Sequence, residues 1–131
     1  AFLWAQLQEA EEITKERLRI WDQYHHELAE FERKGLIRRP IMPLHTQHNA
    51  HMYYMLFNSL EERTEAIDRM RKKEINPVFH YVPLHSSPAG LKFCRTHGSL
   101  SVTEDLADRL LRLPLWYGLQ DIQTVSAAIF D

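Results

Sequence analysis

HMYYMLFNSLEERTEAIDRM, residues 51 to 70, begins with the pattern of a strand and ends with that of a helix. In HMYYMLF, His51 to Phe57, apolar and aromatic groups fall on both faces. This predicts a strand covered on both sides, by helices packed on a sheet or by a domain contact. Ser59 and Glu62 then form an SxxE capping box that opens a helix through Leu60, Ile67 and Met70. Lys72 and Lys73 close it, where positive charge suits the helix dipole.

Upstream, Leu3, Leu7, Ala10, Ile13, Leu18, Trp21, Tyr24, Leu28 and Phe31 recur at helical steps between charged residues and Gln. They predict one long amphipathic helix of about nine turns, with Gly35 as its C-cap. A domain of this size has little to bury so long a helix, so its N-terminal end is expected to pack on something outside the chain. The alternative is a freestanding helical hairpin or a coiled-coil end, although heptad spacing slips between Ile13 and Leu18. The opening AFLWAQLQEAEE reads as the inside of a helix, with neither an initiator Met nor a signal peptide, and suggests an excised piece.

Pro40 and Pro43 make residues 37 to 48 an extended connector. Downstream, Asn76 and Pro77 turn the chain into a short strand, Val78 to Tyr81, and Pro83, Pro88 and Gly90 mark a loop. Ser101 and Glu104 repeat the capping-box pattern before a helix bearing Leu106, Leu110 and Leu113, which Pro114 stops. A last helix carries Ile122, Val125 and Ile129. The expected fold is a small α/β (α+β) unit, with a few-stranded sheet packed against helices.

Composition narrows the function. At 131 residues and 44% hydrophobic content the chain has enough apolar surface for one core, and residues 1–131 read as one domain. Sixteen basic against 18 acidic residues create no field that would gather nucleic acid or anionic lipid. The single cysteine, Cys94, forms no internal disulfide, and no run of about 18 apolar residues could span a bilayer. A reducing cytoplasm fits best, with neither nucleic acid nor membrane as partner.

Eight histidines raise the question of metal. His45, His48 and His51 are spaced by three, but Pro43 argues against a helix, and on a strand His48 would point away from the other two. No metal site is expected there. His25 and His26, adjacent on a helix, cannot chelate together and read as solvated or boundary side chains. HExxH, GxSxG, phosphate-cradling glycine loops and CxxC are all absent. FHYVPLH, Phe79 to His85, is different: His80 and His85 flank a proline-stiffened turn directly after a strand. Imidazole at a strand end could hydrogen-bond a phosphate, a sugar hydroxyl or an amine, with the Tyr81 hydroxyl beside it. Both histidines could equally be satisfied structural groups that fix the loop.

AFLWAQL, QHNAHMYYMLF, INPVFHYVPLHSSPAG and RLLRLPLWYGL resemble, in order and spacing, the C-terminal region of the DegT/DnrJ/EryC1/StrS family. Within that family the likeness is greatest to enzymes that aminate dTDP-4-oxo-6-deoxy-D-glucose. The resemblance implies the small C-terminal domain of a fold type I aminotransferase dependent on pyridoxal 5'-phosphate. Glutamate would donate the amino group and C4 of a dTDP-4-keto-6-deoxy-hexose would receive it. It further implies a large domain, outside this chain, that binds the cofactor, and a second subunit completing a homodimer.

None of Lys15, Lys34, Lys72, Lys73 and Lys92 falls in the family's lysine motif, so no catalytic residue is expected in this chain and the fragment alone should be inactive. Carried over by position are His80, Tyr81 and His85 as substrate- or cofactor-proximal residues, with Asn49 a further polar candidate. Leu113, Leu115 and Trp116 are expected to cover the sheet near the domain boundary. A standalone, non-catalytic binding module of the same fold is the competing expectation.

Overall fold

In the computed structural model, which describes residues 2–131, the expected N-terminal helix is present but broken twice. Helix α1 spans Phe2–Gln8, α2 Ala10–Glu27 and α3 Ala29–Arg33. From the helical value of about −42°, ψ opens to 12° at Glu9 and 0° at Leu28, and no side chain caps either break. The single long helix is thus corrected to three segments. Leu28 is fully buried at the second break, where packing outweighs continuation, whereas α1 buries no residue at all. The end at Gly35 is as expected. Gly35 adopts φ +73°, its N–H donates to the Glu32 carbonyl at 2.9 Å, and the Leu36 N–H donates to the Phe31 carbonyl at 3.0 Å. That pair of bonds is a Schellman motif.

Among the described residues the sheet has four strands, β1 (Ile37–Arg38), β2 (Tyr53–Phe57), β3 (Val78–Phe79) and β4 (Leu110–Leu113), in the order β1-β2-β4-β3, with every neighbour antiparallel. Strand β1 is a short pairing at the head of the expected connector. Between β2 and β3 lies helix α4, Leu60–Lys72. Its cap is the expected Ser59, whose Oγ accepts from the Glu62 N–H at 3.2 Å; the Glu62 carboxylate reaches back one residue further than a capping box, to the Asn58 N–H.

The C-terminal third departs most from expectation. Helix α6 covers Ser101–Arg109 only, and Leu110–Leu113 is β4, a central strand rather than the end of that helix. Leu106, Leu110 and Leu113 do fit a helical spacing. Leu111 and Leu113, however, also alternate as a strand does, and between β2 and β3 they are both buried. Leu100, not Ser101, precedes the first turn of α6, without a side-chain cap. The expected loop after β3 contains a 3₁₀ turn, Leu84–Ser86, and helix α5, Pro88–Phe93, capped by Ser87 Oγ on the Gly90 N–H. Helix α7, Ile122–Ala127, ends before Ile129, which is nevertheless buried.

Strand register sorts the sheet into two unlike faces. Tyr53, Met55 and Phe57 of β2 share a face with Leu111 and Leu113, and they join Ile20 and Tyr24 of α2, Ile67 and Met70 of α4 and Ile122 of α7 in one core. Tyr54, Arg112 and Val78 form the row on the other face. There only Leu56 is buried; Tyr54 and Arg112 are partly covered and Val78 is exposed. Cover on both faces of β2 was expected, and it is complete on one. Among the described residues no helix is long and apolar enough to cross a membrane.

Tyr24 ties α2 to the end of β4. Its side chain is wholly buried, and its hydroxyl donates to the Pro114 carbonyl at 2.9 Å. Tyr24→Phe is expected to cost about 1–3 kcal/mol, because the carbonyl loses its partner without gaining water. Urea denaturation should show a lower midpoint at unchanged slope.

Candidate functional site

His80 lies one residue beyond β3, and therefore next to the open face of the sheet. Strand pairing sets Val78 opposite Arg112 and Phe79 opposite Leu111. Arg112 reaches along this face, and its Nη1 donates to His80 Nδ1 at 3.2 Å. Burial holds the His80 imidazole below its ordinary pKa, and the positive charge of Arg112 adds to that effect, with His51 acting in the same direction. Each of these causes favours the uncharged ring.

The strand stops before Tyr81, earlier than expected, because Tyr81 takes the left-handed conformation at φ +67°. This conformation is uncommon outside glycine and turns the chain sharply. The Tyr81 ring folds back against His80 with centroids 4.3 Å apart. Tyr81, with Arg63, Phe79, Val82, Pro83 and Glu104, also borders a cleft of about 380 Å³ between the loop and α6. Arg63 is almost buried in the cleft wall, donating from Nε to the Asp108 carbonyl at 2.9 Å, with its guanidinium 5.4 Å from the Phe79 ring centroid. The arrangement fits a structural tie between α4, α6 and β3.

The other two expected site residues have hydrogen-bond partners of their own. His85 sits in the 3₁₀ turn with Nε2 3.1 Å from the Glu104 carboxylate, a contact that pins the loop to α6. Asn49 is exposed, and its Oδ1 accepts from the His51 N–H at 3.0 Å, shaping the turn through Ala50 at φ +48°. Two residues of the site were not anticipated there. Arg112 is the one charge in the apolar run LLRL, and His51 was read as the start of the expected strand and as a member of the spaced trio.

Of the remaining histidines two pack on an indole, and His45 and His97 are exposed. His25 stacks on Trp21 at 4.7 Å and His48 meets the same indole edge-on at 4.6 Å, while His26 is exposed. Among the described residues no group of three or more His, Cys, Asp or Glu side chains is placed to hold a metal ion.

The model of the DegT/DnrJ/EryC1/StrS aminotransferase family matches residues 1–130. The chain belongs to this aminotransferase family. An uncharacterized protein of Methanocaldococcus jannaschii is 32% identical over 125 residues, which are 92% of this chain and 32% of that protein. Among solved structures, DesV of S. venezuelae in complex with a ketimine intermediate matches at 26% identity and a TM-score of 0.83, over 98% of this chain and 34% of that one. The aminotransferase TlmJ from Streptoalloteichus hindustanus matches at 25% identity and a TM-score of 0.82, over 95% of this chain and 33% of that one. The chain spans about a third of the length of these relatives.

The resemblance leads to the expectation that no Schiff-base lysine lies in this chain. In this chain Lys15, Lys34, Lys72, Lys73 and Lys92 are all exposed, on helices or at helix ends. A lysine that forms a Schiff base is activated by a desolvated pocket or a neighbouring cation. The exposed lysines offer no such pocket, so the residues present do not fit pyridoxal phosphate by themselves. Of the residues expected to cover the sheet, Leu113 and Leu115 pack into or against the core, but Trp116 is 55% exposed and does not.

Proposed function

We propose that residues 1–131 are the small C-terminal domain of a nucleotide-sugar aminotransferase, and that His80 and Tyr81 form one wall of its active site. The observation carrying this reading is the His80–Arg112 pair on the open face of the sheet, inside a chain that matches the DegT/DnrJ/EryC1/StrS aminotransferase family over residues 1–130. Pyridoxal 5'-phosphate would be held by a large domain outside this chain and would supply the electron sink. Glutamate donates the amino group, and C4 of a dTDP-4-keto-6-deoxy-hexose accepts it. The protein works as a cytoplasmic homodimer, without nucleic acid or membrane.

Within that scheme the residues of this chain bind and orient. His80 offers a ring N–H to an oxygen of the sugar or its phosphate, and Tyr81 offers a hydroxyl from the same turn. His85 holds the loop to α6, so that both groups keep their aim.

The test is an assay of the full-length protein with pyridoxal phosphate, glutamate and a panel of nucleotide keto sugars. Formation of a 4-amino product from the dTDP-4-keto-6-deoxy substrate is the expected result. Amination of 3-keto sugars alone would overturn the C4 assignment, and amination of none would overturn the sugar reading. Residues 1–131 alone should give no product; turnover by that piece would contradict its role as a wall of a larger site.

A further inference from the structure

His80 can meet a substrate in three forms: as a cation, as a donor through Nε2–H, or as an acceptor through Nε2 with the proton on Nδ1. Which form is present decides what the residue recognises. The guanidinium of Arg112 has only N–H donors and no lone pair to offer. Its Nη1 lies 3.2 Å from His80 Nδ1, so that nitrogen has to be the acceptor. A proton on Nδ1 would set two donors head to head, and in the cationic ring it would also oppose two like charges.

We infer that Arg112 is a positioning residue: by donating into Nδ1 it fixes His80 in its Nε2–H tautomer, so that His80 meets the substrate as a hydrogen-bond donor. This rests on the proposed placement of His80 in the active-site wall. The groups around the ring agree with it. Arg112 acts from β4 and His51 from the segment before β2, both disfavouring a charged imidazole, while the Tyr81 ring covers it from the loop.

Arg112 itself shows that packing is not its purpose. It sits in the cross-strand row between Tyr54 and Val78, and its Nε is buried without a hydrogen-bond partner. An apolar side chain of similar length would fill that row with no polar group left unpaired. The ligand atom that His80 selects is therefore an acceptor, such as a phosphate, hydroxyl or carboxylate oxygen. A protonated amine is excluded at this point.

Two-bond nitrogen correlation spectra of the full-length protein labelled with ¹⁵N-histidine read the tautomer directly. In the wild type His80 is expected to be neutral at pH 7, with the proton on Nε2 and Nδ1 in the unprotonated range. In Arg112→Met the Nδ1–H form should grow and the ring should titrate at a higher pH than in the wild type. Arg112→Gln, which keeps an N–H donor but not the charge, should restore the tautomer while leaving the titration raised. A wild-type proton on Nδ1 overturns the inference, as does a His80 signal unchanged between wild type and Arg112→Met. The wild-type spectrum decides the first point even where a variant fails to fold. His80→Gln with unaltered sugar kinetics would overturn the site placement alone and leave the spectra as they are.

Discussion

Replacing His80 with alanine in the full-length protein is expected to lower kcat/KM for the keto sugar by about 10- to 150-fold. That range corresponds to one hydrogen bond to a charged group, worth about 1.5–3 kcal/mol. The fold should notice little, since His80 is only partly buried and follows the strand rather than forming part of it. Steady-state kinetics with glutamate and the sugar varied in turn separate the possibilities. A loss confined to the sugar half-reaction is the expected outcome and assigns His80 to the sugar side. Equal losses in both halves would move its role to the cofactor, and unchanged kinetics would make it structural.

The second large effect concerns the sheet. Leu111 is completely buried in the central strand, between Met55 on one side and Phe79 on the other. Leu111→Ala should cost about 2–5 kcal/mol, a large share of the roughly 5–15 kcal/mol that holds a domain together. Leu110→Ala, on the half-covered face, should cost distinctly less. The contrast tests the strand directly, because a continuing helix would have buried Leu110 and left Leu111 outside. Urea melts of the two variants, with the order of their midpoints reversed, would contradict the sheet order.

Much of the fold was readable in the residues because local chemistry and tertiary structure agreed there. Ser59 capped α4, Gly35 closed the helical region, and the apolar run before Asn58 became β2. Disagreement arose where two periods overlap. In LADRLLRLP the leucines satisfy a helix and a strand at once, and only pairing with β2 and β3, both distant in the chain, selects the strand. The breaks at Glu9 and Leu28 carry no glycine or proline and so left no mark in the sequence. The site follows the same logic. His80 and Tyr81 stood out because a proline turn follows them, but Arg112 comes to His80 only through strand register across 32 positions. His85 and Asn49 were legible as polar groups, but not their partners: one contacts Glu104 on α6, the other the His51 N–H within its own turn.

The sheet order also sets a timetable for the nascent chain. Strand β2 needs β4 on its inner edge, yet β4 comes after α4, β3, α5 and α6 in the sequence. At about 5–20 residues per second the ribosome takes roughly 3–11 s to pass from Phe57 to Leu113. For that time YYMLF is an apolar strand with an open edge, the kind of segment that pairs with a neighbouring chain. A holding chaperone that favours aromatic, uncharged stretches would have its binding window here, before the strand's own partner has been made.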